Sequence, residues 1–199
     1  MTGRIILSVA LGIIIGIFVF PQAAEAYMGI MIDIGLCLLL FFVGIDIGKQ
    51  GNILKKIKKM GFKVLLVPLM VAIGSISGAI LGGLLLGLPI NEAGAIGAGF
   101  GWYSLSAIEL SKHSAELGAL AFITNISREV IALISIPFIA KYIGRLEAIA
   151  PAGATAMDTT LPVISRSTDG NIAVIAFITG VALSSLVPIL VPTLMIILK

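Results

Sequence analysis

The sequence predicts an all-α integral membrane protein with about five transmembrane helices plus two broken or re-entrant segments. Three observations carry this. Of the 199 residues 59% are apolar and only 12% charged, with a mean hydropathy of +1.17, far from a soluble domain at about 45–50% and about 25%. Apolar runs of about twenty residues, enough to cross the hydrocarbon core as a helix, recur along the chain. Strict polar–apolar alternation is missing, so of the two structures that satisfy every backbone group in lipid, the barrel is excluded and the helix remains.

The elements follow in order. The first span is expected at 3–20, behind Arg4 and closed by Phe20-Pro21. Ala24-Glu25-Ala26 has the form of a signal-peptide cleavage site. The apolar run exceeds the usual signal core, however, and further spans follow at once, so it reads as a retained first helix. The second span, 28–46, is interrupted by Asp33 and closed by Asp46. Cys37 lies in its apolar run; a single cysteine forms no internal disulfide and reads as a packing residue. Six lysines then crowd one short loop: Lys49, Lys55, Lys56, Lys58, Lys59 and Lys63. The positive-inside rule explains them as a cytoplasmic loop with attraction to anionic lipid, so no nucleic-acid partner is inferred. The third span, 64–87, carries Gly74, Gly78, Gly82 and Gly83. Their small-xxx-small spacing predicts close approach to neighbouring helices inside the bundle.

Two later segments fail as plain spans. Residues 93–110 offer only 16 uncharged residues between Glu92 and Glu109, with glycines at 94, 97, 99 and 101. Each glycine costs a helix about 1 kcal/mol against alanine. Residues 148–168 hold Pro151, Pro162 and a run of small and hydroxyl residues around Asp158, closed by Arg166 and Asp169. Between them, 117–140 is a fourth span with Arg128-Glu129 at its midpoint, and 170–198 is a fifth, where Pro188 and Pro192 predict kinks. If the basic loops at 49–63 and 141–145 share the cytoplasmic side, an even number of crossings separates them. Segment 93–110 then dips from outside and 148–168 from the cytoplasm, with the N-terminus cytoplasmic. A six-span version, in which 93–110 crosses, is the alternative.

Paired interrupted segments entering from opposite faces point to a transporter's binding site. Broken helix ends present unpaired backbone groups at mid-depth. Asn125, Arg128 and Glu129, spaced i, i+3 and i+4, share one helix face, with Thr124 one turn before Arg128. Ionisable groups at this depth usually face the protein interior or a water path; the plainer reading is an Arg–carboxylate pair locking two helices. Asp158 stands among Thr155, Thr159 and Thr160 and can pair with a cationic solute or carry a proton. Its plainer reading is a helix cap. Trp102, Tyr103, Ser104 and Ser106 follow the glycines. Trp-Tyr reads either as an interfacial belt or as a pocket wall offering a cation–π contact. His113 belongs to a polar turn, and Asp33 and Asp46 to solvated span ends. No metal-ligand cluster, nucleophile–base pair or phosphate loop emerges, so neither enzyme activity nor a cofactor is expected.

These residues also carry a resemblance. LLLFFVGIDI, the basic loop, GFGWYSLSAI at 99–108, AFITNISREV at 121–130 and GATAMDTTLPVISR at 153–166 are similar to the LysO-type lysine exporter family of prokaryotic inner membranes. The similarity runs over nearly all the chain and corresponds to the C-terminal part of full-length members. It implies efflux of L-lysine and analogues such as thialysine across the cytoplasmic membrane, driven by protons. It also implies a functional membrane-embedded acid at Asp158. On the residues themselves, Glu129 is expected to be a second carboxylate, with protonation of one coupled to release, and Arg128 to hold Glu129 or receive the substrate carboxylate. The family's N-terminal helices would then come from a separate small membrane subunit or be replaced by a homo-oligomer. A non-transporting subunit or scaffold of a partner transporter is the rival reading.

Overall fold

A computed structural model describes residues 61–197, together with single helical positions between Leu7 and Ile45. The expected spans 3–20 and 28–46 and the lysine loop, with Asp33 and Asp46, therefore fall almost wholly outside the described residues. Cys37, expected to pack, is exposed at its helical position.

Among the described residues every regular element is helical. A 3-10 turn, Gly61–Leu65, leads into α1, Leu66–Leu85. A tight turn around Gly87 (φ +77°) and Pro89 returns the chain into α2, Ile90–Gly97. Helix geometry then fails over 98–101 and resumes as α3, Tyr103–Ser111. The break predicted by the glycines is real: Phe100 and Gly101 have φ of +49° and +97°. A polar turn holding Lys112 and His113 joins α3 to α4, Ala115–Tyr142, which starts where the Ser114 hydroxyl accepts the Leu117 amide at 3.0 Å.

The second expected break also appears. Two 3-10 turns, Glu147–Ile149 and Gly153–Met157, precede a two-turn helix α5, Leu161–Ser167. The Asp169 carboxylate accepts the amides of Asn171 and Ile172, capping α6, Gly170–Ile197, and pairs with Arg145 at 3.2 Å. This helix remains continuous through Pro188 and Pro192.

Helices α1, α4 and α6 are long and apolar enough to cross a membrane, which makes this a multi-pass membrane protein. Their outward residues, such as Leu81, Leu85, Ile123, Ile131, Phe177 and Ile189, are apolar, as a hydrocarbon surrounding requires. Helices α1 with α2, and α3 with α4, form hairpins, and α6 packs against both α2 and the 153–157 turn. One buried cluster, around Ala95, Phe100, Leu183 and Val187, joins α2 to α6. A second, around Ile136, Ile149, Ile164 and Ala173, seats the second broken segment between α4 and α6.

One expectation is corrected here. Among the described residues, nothing stands within 4 Å of a Cβ placed on Gly74, Gly78 or Gly82. The close approach to α1 is made by Gly97 of α2, where a Cβ would meet the Ala79 side chain and, at 2.9 Å, the Ser75 carbonyl. Among the described residues, Gly83 alone of the α1 glycines faces a close neighbour, Ala93. The spacing on α1 was compatible with contact, but the sterically required glycine lies on the partner helix.

Candidate functional site

The two breaks cross, and the crossing builds the site. The Phe100 carbonyl accepts the Ala154 amide at 2.8 Å, so the first interrupted segment is hydrogen-bonded directly to the second. Gly153, at φ +62°, is compelled by this contact. A Cβ there would collide with the Phe100 carbonyl oxygen and stand 2.9 Å from an Arg128 guanidinium nitrogen. Phe100 itself is an aromatic residue in the left-handed region, a conformation that costs about 1–2 kcal/mol. The packing of its fully buried ring offsets that cost.

Helix α4 holds both breaks in place. Asn125, 2% exposed, accepts the Gly101 amide at 2.8 Å and donates to the carbonyls of Ile96 at 3.2 Å and Ala121 at 3.0 Å. One turn on, Arg128 donates to the carbonyls of Pro151 at 3.1 Å and Ala150 at 3.2 Å, and to the Ser75 hydroxyl at 2.6 Å. Ser75 passes the link on, donating to the Gly97 carbonyl at 2.8 Å. These bonds satisfy the backbone groups that interrupted helices leave orphaned in a low-dielectric interior.

On one side of the crossing lies a cavity of about 210 Å³. The α3 start contributes Gly101, Trp102, Tyr103 and Ser104; the second break contributes Ala154, Thr155, Met157, Asp158 and Thr159. Glu129 enters from α4 and Ser184 from α6. Seven expected site residues are thus brought together: Trp102, Tyr103, Ser104, Glu129, Thr155, Asp158 and Thr159. The Asp158 carboxylate accepts the Thr159 amide at 2.6 Å and lies 3.4 Å from the Thr159 hydroxyl. Asp158 is not the cap of α5, whose N-cap is Thr160. The Thr155 and Thr160 hydroxyls instead knit the turn, donating to the carbonyls of Ala152 and Thr155. Tyr103 is held edge-on by Phe122 of α4, with ring centroids 5.5 Å apart, and lines the pocket.

Asn125 and Arg128 do not line this cavity. Arg128 borders a second one with Met70, Val71, Gly74, Ser75, Ala150 and Pro151. Among the described residues the only ion pairs are Lys112–Glu109 and Arg145–Asp169, so Arg128 pairs with neither Glu129 nor another described carboxylate. Thr124 is exposed. Ser106, fully buried, donates to the Trp102 carbonyl at 2.8 Å and packs on Gly99, away from the cavity. His113 is exposed in its turn. Met157, Ser184 and Ser75 were not legible beforehand. Ser184 is one of several hydroxyls in a long apolar run, with nothing in its spacing to single it out.

The Asn125 arrangement makes a testable statement about stability. Asn125→Ala leaves the buried Gly101 amide without its acceptor, at a cost of about 1–3 kcal/mol. A lower thermal unfolding midpoint of the purified protein is expected; an unchanged midpoint removes Asn125 from the support of the break.

Comparison with known proteins matches this arrangement to a family. A family model described as lysine exporter LysO matches residues 6–195. Over 192 residues, 96% of the chain, the sequence is 36% identical to "Lysine exporter LysO" of Escherichia coli (strain K12), of which the match spans 62%. It is 34% identical over 174 residues, 86% of the chain, to "Putative lysine exporter" of Haemophilus influenzae, spanning 84% of that protein. The chain thus covers less than two thirds of the length of the Escherichia coli relative. No solved structure matches it. With a match over nearly its whole length and two relatives above 30% identity, this chain belongs to the lysine exporter LysO family.

Proposed function

We propose that this protein exports L-lysine, or a closely similar cationic amino acid such as thialysine, across the cytoplasmic membrane. The observation that carries this reading is the cavity at the crossing of the two breaks, where Asp158 and Glu129 face the same space. A lysine side chain brings an ammonium group that needs compensation when it leaves water, and a buried carboxylate supplies it. Trp102 and Tyr103 add ring faces that attract a cation. Asp158 and Glu129 are the substrate- and proton-binding groups, with Ser104, Thr155 and Thr159 as their polar surroundings. Asn125 and Arg128 act through the backbone, by holding the breaks that form the pocket.

Proton coupling follows from charge balance. Two carboxylates facing a monocation leave one negative charge, which one proton neutralises, whereas the empty site is neutral only with both carboxylates protonated. The site therefore returns inward with one proton more than it carried out with lysine, an exchange of lysine for a proton that an inward proton gradient drives. The topology that serves this has spans at 3–20, 28–46, 64–87, 117–140 and 170–198. Segments 93–110 and 148–168 enter from opposite faces without crossing, and the N-terminus is cytoplasmic. A small membrane subunit or a second copy of the chain completes the assembly.

Liposomes containing the purified chain, with any membrane subunit encoded beside it, provide the test. A proton gradient is expected to drive accumulation of labelled lysine, and a protonophore to reduce it at least about fivefold. Accumulation that ignores the protonophore removes proton coupling, and no lysine movement with the full assembly present removes the reading itself.

A further inference from the structure

The charges around the cavity are one-sided. Its described lining holds two carboxylates, Asp158 and Glu129, and no cationic side chain. Arg128, the described base next to Glu129 on α4, is committed elsewhere. Its three guanidinium nitrogens are bonded to Pro151, Ala150 and Ser75, and it borders the cavity on the far side of the crossing. A site built to grip an amino acid by its carboxylate would place a guanidinium or ammonium within reach of it. The described lining offers only neutral side-chain donors, its hydroxyls and the Trp102 indole N–H. One of them, Ser184, is 9% exposed and has the Met157 thioether sulfur at 3.7 Å as its partner. A thioether is a weak acceptor, so this hydroxyl stays available to a ligand in the cavity.

From these two carboxylates we infer that the cavity holds its ligand by amino groups and binds short aliphatic α,ω-diamines of lysine's length. The inference rests on the reading of this cavity as the lysine site and narrows its chemistry. Lysine carries two ammonium groups and one carboxylate, a net charge of +1; its decarboxylated counterpart, 1,5-diaminopentane, carries +2. Two carboxylates are neutralised completely by the diamine, whereas lysine leaves one charge for a proton to cover. Removing lysine's carboxylate therefore costs no ion pair at this site. Removing its α-amino group, as in 6-aminohexanoate, costs one. The diamine-bound site also holds one proton fewer than the lysine-bound site, whatever the protonation of the empty one.

The chain has a single tryptophan, Trp102, and it lines the cavity, so its emission reports occupancy without a label. The test is titration of the purified full-length chain in lipid nanodiscs with 1,5-diaminopentane, lysine, 6-aminohexanoate and pentylamine at neutral pH. The diamine is expected to bind at least as tightly as lysine, and both at least about tenfold more tightly than 6-aminohexanoate or pentylamine. Proton uptake on binding, followed with a pH indicator in weak buffer, is expected to be smaller by one proton for the diamine than for lysine. Lysine binding with 6-aminohexanoate of equal affinity, or with a diamine more than about tenfold weaker, overturns the inference and leaves lysine export standing. Diamine binding with no lysine binding does the reverse, upholding an amine site and defeating the lysine reading. An unchanged Trp102 signal with all four, confirmed by calorimetry, sinks both.

Discussion

Asp158→Asn is expected to reduce export of labelled lysine from loaded vesicles by about 10- to 150-fold, with no loss of folded protein. The estimate converts the roughly 1.5–3 kcal/mol of a hydrogen bond to a charged group at about 1.4 kcal/mol per tenfold change. The substitution is chosen because it separates two roles. As a turn former, Asp158 works through a carboxylate oxygen that accepts the Thr159 amide at 2.6 Å, and the asparagine carbonyl can do the same. As a counter-charge for an ammonium group or a carrier of a proton, it works through an ionisation that asparagine lacks. A variant that folds and fails to export therefore identifies the charge as the functional property. Export within twofold of the parent, at equal protein per vesicle, removes Asp158 from the mechanism and leaves it as a turn residue. Glu129→Gln in the same assay addresses the second carboxylate. Because the two acids line one cavity and act there as a unit, the double variant is expected to lose less than the product of the single losses.

Both breaks were legible in the sequence because their causes are local. Glycine at 97, 99 and 101 removes helix preference and permits the positive φ at Gly101; Pro151, Gly153 and the threonines do the same for the second segment. The cavity residues were legible because ionisable and aromatic groups beside such breaks are too costly in lipid to be incidental. What periodicity misjudged was direction. Asn125, Arg128 and Glu129 do share one broad face, but at about 100° per residue Arg128 and Glu129 differ by enough to reach opposite sides of the crossing. The spacing grouped them; only the positions of the two breaks show that the base supports backbone while the acid faces the cavity. The α1 glycines were read only in part: among the described residues Gly83 makes a close approach, while small-xxx-small spacing did not say that Gly97 of α2 supplies the glycine the α1–α2 contact needs. Ser75 and Ser184 were hidden because a hydroxyl in an apolar helix can always bond its own i−4 carbonyl, so sequence does not distinguish one that bonds across the fold.

Gly153→Ala is expected to be among the most damaging single-methyl changes in the described part of the molecule. The left-handed conformation at φ +62° costs alanine about 1–2 kcal/mol. The added carbon also overlaps the Phe100 carbonyl oxygen and crowds the Arg128 guanidinium, and overpacking of this kind costs about 1–3 kcal/mol more. Neither neighbour can give way cheaply. The Phe100 carbonyl is fixed by the Ala154 amide, and Arg128 by three acceptors on two other segments. The total, about 2–5 kcal/mol, is a large part of the 5–15 kcal/mol stability usual for a folded domain. Gly78→Ala supplies the contrast: its added carbon meets nothing within 4 Å among the described residues, and alanine is the better helix former by about 1 kcal/mol. Thermal unfolding of the two purified variants is therefore expected to diverge, with the Gly153 variant melting well below the parent and the Gly78 variant at or above it. Equal midpoints would mean that the carbonyl–amide contact between the two breaks is not a fixed point of the fold, and a pocket defined by that contact would lose its walls.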